Sequence, residues 1–119
     1  MNSSDQFGKT DLQKFILLVN LGILHSLKND YITIHEAEYF LYAPYMINLL
    51  KENKYSKSLI DVIHRGTELE DLESFNIDVK NEMKKMFNEC EELIKQLPES
   101  TTVLDILFNI IYIMRNYMC

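Results

Sequence analysis

The stretch Ile77–Leu97 reads IDVKNEMKKMFNECEELIKQL, and its spacing decides the fold class. Met83, Met86, Phe87, Cys90, Leu93, Ile94 and Leu97 recur at three- and four-residue intervals, so they line one stripe of a helix. Lys84, Lys85, Glu89, Glu91, Glu92 and Lys95 fall mostly elsewhere. Lys85 with Glu89, and Glu91 with Lys95, stand four apart and can pair for about 0.2–0.5 kcal/mol each. Pro98 ends the helix, because proline has no backbone N–H and its ring clashes with the preceding turn.

Working outward, the same punctuation recurs. Thr10 and Asp11 offer a cap for a first helix running to about Asn29. Its apolar positions Leu12, Phe15, Ile16, Val19, Ile23 and Leu27 have a period near 3.6, and Leu17, Leu18, Leu21 and Leu24 add a second flank. Gly22 marks a candidate close helix crossing. Thr33-Ile34-His35-Glu36 matches a capping box and opens a short helix to about Tyr42. Pro44 suits the first turn of the next helix, to about Asn53. Ser56 caps a fourth segment to His64, with Gly66 placed to end it. Thr67 and Glu70 repeat the capping-box spacing ahead of a short helix to about Ser74, and Thr102 and Asp105 begin a last, apolar helix.

Tyr31–Ile34 and the last apolar run could also be short strands, but neither has an evident strand partner. The expectation is a single all-α domain over 1–119, a bundle of about five to seven helices. The apolar first and last helices form the core, and 1–9 form a flexible N-terminus.

Composition narrows the function. The chain has 119 residues, 47% of them hydrophobic and 25% charged, enough to build a core. Three glycines and two prolines leave little room for the turns of a sandwich or barrel. Eighteen acids against twelve bases give a net charge of -6, the wrong sign for direct nucleic-acid binding. The N-terminus lacks the basic and apolar regions of a signal peptide, which makes the cytoplasm the expected compartment. Val103–Met114 is far shorter than the roughly 20 apolar residues that span a bilayer, so no membrane partner is expected. Cys90 and Cys119 are too few for a disulfide framework and have no metal-ligand spacing.

Nothing marks a catalyst or a cofactor site. No HExxH, Walker or GxGxxG pattern occurs. His35 and Glu36 are adjacent and point about 100° apart on a helix, a poor start for sharing a metal ion. His25 and His64 sit near helix C-termini, where an imidazole is comfortable. Ser56 and Ser58 read as caps. A small hydrolase therefore has no positive support, and no cofactor is expected.

The distribution of charge says more. Between Asp61 and Glu92 stand ten acids and four bases, so this quarter of the chain carries the whole net charge of -6, and the remainder is neutral. One reading is a solvated helical face that aids solubility. The other is an electrostatic docking surface for a basic protein, formed by Glu68, Glu70, Asp71 and Glu73 with Glu89, Glu91 and Glu92. Tyr39, Phe40, Tyr42 and Tyr45 cluster at a helix break, where aromatics serve either a core or an interface, and Tyr42 or Tyr45 is the candidate anchor.

A resemblance adds to this. Leu21-Gly22-Ile23-Leu24-His25-Ser26-Leu27, Ile32–Glu38, Tyr42-Ala43-Pro44-Tyr45 and, most specifically, Ile63–Glu73 resemble a family of small bacterial proteins known as a domain of unknown function. It covers Leu17–Glu73, about half the chain, and implies a helical fold with no catalytic residues to carry over. In general character the chain is also similar to bacterial toxin-immunity proteins, which are small, cytosolic, often acidic, and block one cognate toxin. The expected function is thus a non-enzymatic binding module, an immunity-type inhibitor of a basic toxin domain such as a nuclease. The alternative is a structural or regulatory homo-oligomer joined through the apolar C-terminal helix.

Overall fold

The computed structural model describes residues 3–100 and 115–116, with side-chain placement from residue 9. The expected last helix, from Thr102, lies outside the described residues. Among them every regular element is an α-helix: α1 (Ser3–Lys28), α2 (Ile34–Phe40), α3 (Pro44–Glu52), α4 (Lys57–Thr67), α5 (Leu69–Ser74) and α6 (Val79–Gln96). Four of these run nine residues or more, fewer than the five to seven expected, and α2 and α5 are segments of two turns or less that connect them.

Much of the local reading is found. The Thr33 box closes reciprocally: the Glu36 N–H donates to Thr33 Oγ1 at 3.0 Å, and the Thr33 N–H donates to Glu36 Oε1 at 3.1 Å. Ser56 Oγ accepts from the Leu59 N–H at 3.2 Å, and Asp78 Oδ1 from the Asn81 N–H at 3.2 Å. The α6 stripe holds, with Met83, Met86 and Cys90 buried and Phe87, Leu93, Ile94 and Leu97 half-buried. It packs chiefly on α1, while α3 packs on α4 and α4 on α6.

Four local expectations change. First, α1 starts at Ser3 instead of at a Thr10–Asp11 cap, so most of the expected flexible tail is helical. No proline interrupts it, Gly8 costs only about 1 kcal/mol, and Asp11 is buried inside the helix at 7% exposure. Second, the buried line of α1 is Leu17, Asn20, Leu24 and Leu27 with Ile23, whereas Leu18 and Val19 are exposed. A helix apolar on nearly all sides does not declare which side faces its partner. Third, Gly22 is exposed, and a Cβ built there meets nothing within 4 Å, so no close crossing occurs there. Fourth, Gly66 does not end α4. The helix runs through it to Thr67, and Glu68 at the junction keeps a right-handed backbone (φ -95°, ψ -6°). Thr67 Oγ1 donates back to the His64 carbonyl at 2.6 Å, so the second capping box never forms.

Left-handed residues end three helices: Asp30 (φ 59°), Lys54 (φ 58°) and Asn76 (φ 60°). In each case the next N–H reaches back five residues: Tyr31 to Ser26, Tyr55 to Leu50 and Ile77 to Leu72. These are Schellman closures made without glycine. Two of them, at Asp30 and Asn76, border the same groove.

Candidate functional site

The C-terminal end of α1, the start of α2, Glu70 and Glu73 of α5, and the start of α6 border a groove of about 750 Å³. Its floor is apolar: Leu27 and Met83 are buried, Ile32, Ile34 and Val79 are half-buried, and Ile77 is 45% exposed. The Schellman closure at Asn76 holds Ile77 over this floor, since its N–H is tied to the Leu72 carbonyl at 3.0 Å. Around it stand Asp30, Glu70, Glu73 and Asp78, with Lys80 and His35 as the basic side chains.

Of the four acids expected around α5, two reach this groove. Glu68, Glu70, Asp71 and Glu73 are all exposed, and Glu70 and Glu73 line the groove. Glu68 lies at the α4–α5 junction, its Oε1 3.3 Å from His64 Nδ1. Among the described residues, Glu70, Asp71 and Glu73 form no ion pair with lysine or arginine. Instead, Glu70 faces the Glu38 carboxyl of α2, which holds Glu38 above the usual carboxylate range, with desolvation adding to the effect. Asp71 pushes the same way, and His35, 4.0 Å from Glu38, opposes it.

A carboxyl whose folded pKa is raised contributes its stability below its unfolded value, near 4.5, and loses it as pH rises through the folded value. At neutral pH the Glu38–Glu70 contact is therefore a small repulsion. Glu38→Gln is expected to raise the melting temperature slightly at pH 7 and to have no such effect at pH 4. Melting curves of both proteins across that range check this.

The α6 acids go elsewhere. Glu89 pairs closely with Arg65 of α4, whose guanidinium also lies 3.7 Å from Glu82. These pairs tie α4 to α6, so Glu89 and Glu82 are engaged within the molecule. Lys85 and Lys95 pair with Glu82 (3.5 Å) and Glu92 (3.4 Å), three residues away, not with the partners four away that the sequence suggested. Arg65 has taken Glu89, and Glu91 is half-buried. Glu89 and Glu92 border a separate shallow cleft with Ser58 and Asp61. Glu92 stands about 21 Å along the helix from Asp78, at 1.5 Å per residue. One continuous acidic stretch of sequence thus serves two different faces.

The tyrosines divide too. Tyr45 is exposed at 73% on α3, as an anchor must be. Tyr42 is not: it is 1% exposed, and its ring fills the place of the missing Gly66 side chain. Its hydroxyl donates to Asn20 Oδ1, so it belongs to the core and cannot anchor a partner directly. Tyr39 and Phe40 next to it are exposed.

Sequence reasoning missed Glu38, Asp30, Asp78 and Ile77 as site residues. Asp30 and Asn76 follow helix-length segments and are residue types that tolerate the left-handed region, which was the available signal. Nothing local indicated that α2 would set Glu38 against Glu70. Among the described residues no group of three His, Cys, Asp or Glu side chains could hold a metal ion, and no helix is long and apolar enough to cross a membrane.

Among the described residues, fold and groove together define a small all-helical protein with a surface groove that has an apolar floor and a rim of carboxylates. Residues 7–108 match the family described as protein of unknown function DUF3969, and the chain belongs to that family. The match extends beyond the expected Leu17–Glu73 and takes in α6 as well. No curated protein and no solved structure matches the chain.

Proposed function

We propose that the protein is a non-enzymatic binding module whose acidic α5 surface docks a basic protein partner, most concretely as an immunity-type inhibitor of a cognate bacterial toxin. One observation carries the reading: among the described residues Glu70, Asp71 and Glu73 are exposed together without a lysine or arginine partner, and Glu70 faces the Glu38 carboxyl. Such crowding costs folding stability, and an incoming cation relieves it. A nuclease toxin has a basic phosphate-binding cleft of the complementary sign. Tyr45 is the remaining aromatic of the original pair able to contact a partner, and Glu68 and Glu92 can extend the field. Glu89 and Glu91, one paired with Arg65 and the other half-buried, have a supporting role.

The test is co-expression with the product of the adjacent reading frame. The expected result is co-elution and rescue of growth if that product is toxic. Paired Glu70→Lys and Asp71→Lys changes should weaken the complex at least tenfold and flatten its salt dependence, chiefly through slower association. Unchanged affinity and an unchanged salt slope would remove the α5 surface from the interface.

A further inference from the structure

We infer that the groove between α5 and the start of α6 receives an apolar anchor from the partner, one aromatic or long aliphatic side chain flanked in its chain by lysine or arginine. This deepens the reading above and rests on it. Two features of the groove make separate demands on an occupant. The floor of Leu27, Ile32, Ile34, Val79 and Met83, with Ile77 partly over it, is apolar and open. The rim carries four carboxylates against Lys80 and the imidazole of His35.

Each simpler occupant satisfies only one demand. A neutral apolar ligand would fill the floor but strip water from carboxylates without replacing it. A small polar cation would answer the rim and leave the floor uncovered. Anionic ligands, including nucleic acid and phospholipid headgroups, meet four like charges. An apolar side chain set between cationic ones satisfies both, in the arrangement of a buried anchor inside a charged rim that concentrates binding energy in protein interfaces. The volume, about 750 Å³, is in the range of clefts that receive small-molecule ligands and leaves ample room for one such side chain.

The chain contains no tryptophan, so a tryptophan in a probe reports alone when excited selectively. The full chain is titrated with three five-residue peptides: a central Trp between two Arg and two Lys, the same with Ser replacing Trp, and the same Trp between uncharged Ser residues. The cationic Trp peptide is expected to bind saturably with a blue-shifted emission, at least fivefold tighter than either relative. Ile77→Ser should cut that advantage to less than twofold without changing the cationic Ser peptide, while Glu73→Lys weakens both cationic peptides. Thermal melts confirm that each variant is folded.

Equal binding of the two cationic peptides, equal binding of the uncharged Trp peptide, or no binding of any of them overturns the anchor. These results leave the basic-partner reading standing, because that reading is tested by the Glu70→Lys and Asp71→Lys pair on the natural complex. If that pair has no effect while the cationic Trp peptide binds as expected, the earlier reading fails and the groove's preference remains.

Discussion

Gly66→Ala is expected to destabilise the protein by about 1–2 kcal/mol net, whereas Gly22→Ala stabilises it by up to about 1 kcal/mol. Both glycines lie inside helices, α4 and α1, where alanine is the better residue by roughly 1 kcal/mol. The difference lies in what the new methyl group meets. At Gly22 it meets nothing within 4 Å. At Gly66 it falls within the ring of Tyr42, closer than any real carbon contact allows. The ring cannot retreat: Tyr42 is 1% exposed and its hydroxyl is tied to Asn20 of α1. The clash therefore outweighs the propensity gain and must push α4 away from the α2–α3 corner. Urea denaturation of the two variants checks the opposite signs. Repeating Gly66→Ala on a Tyr42→Leu background provides the control. With the ring gone, the added methyl should become neutral or mildly stabilising, a coupling that only contact produces.

The second large effect concerns the polar group at the centre of the core. Asn20 is fully buried on the α1 face that meets α6, its Oδ1 accepting from the Tyr42 hydroxyl and its Nδ2 without a hydrogen-bond partner among the described residues. Cys90 lies nearby on α6, its thiol donating to the Leu17 carbonyl at 3.2 Å, and burial pushes the thiol pKa up. Tyr42→Phe keeps the ring and removes only the donor, leaving the carboxamide oxygen buried and unpaired. The expected cost is about 1–3 kcal/mol, or several degrees in melting temperature. Adding Asn20→Leu removes the orphaned group itself. The double variant should recover to at least the wild-type midpoint, because replacing both partners by apolar groups removes a desolvation penalty that the native pair meets only in part. A double variant less stable than Tyr42→Phe alone would show that Asn20 contributes more than this hydrogen bond.

Gly66, Tyr42 and Asn20 are placed by tertiary contact, which local sequence does not encode. The α6 stripe was legible because its apolar residues fall on one face and its charges mostly on others, so periodicity alone separates buried from exposed. The Thr33 box, the Ser56 cap and Pro44 were legible because capping is decided within four residues. The same rules misread Gly66, Thr67 and Tyr42. A glycine late in a helix has the same local appearance whether it ends the helix or admits a ring from elsewhere. Thr67 at the head of a capping-box pattern still has the alternative of donating to its own preceding turn, and it takes it. Tyr42, in an aromatic cluster at a helix break, is drawn into the core by Gly66, twenty-four residues away in the chain.

The candidate site follows the same division. Sequence by itself determined that the protein is helical and that its net charge resides between Asp61 and Glu92, since helix period and charge count are properties of chain order. Only the tertiary structure decided how those charges are shared out. Arg65 draws Glu82 and Glu89 into the α4–α6 junction, and α2 sets Glu38 against Glu70. The left-handed closures at Asp30 and Asn76 bring the Asp30 carboxylate, Ile77 and the neighbouring Asp78 to the border of one groove. Whether two charges attract, repel or ignore each other depends on separation in space and on the water between them, and neither quantity is written in the order of residues.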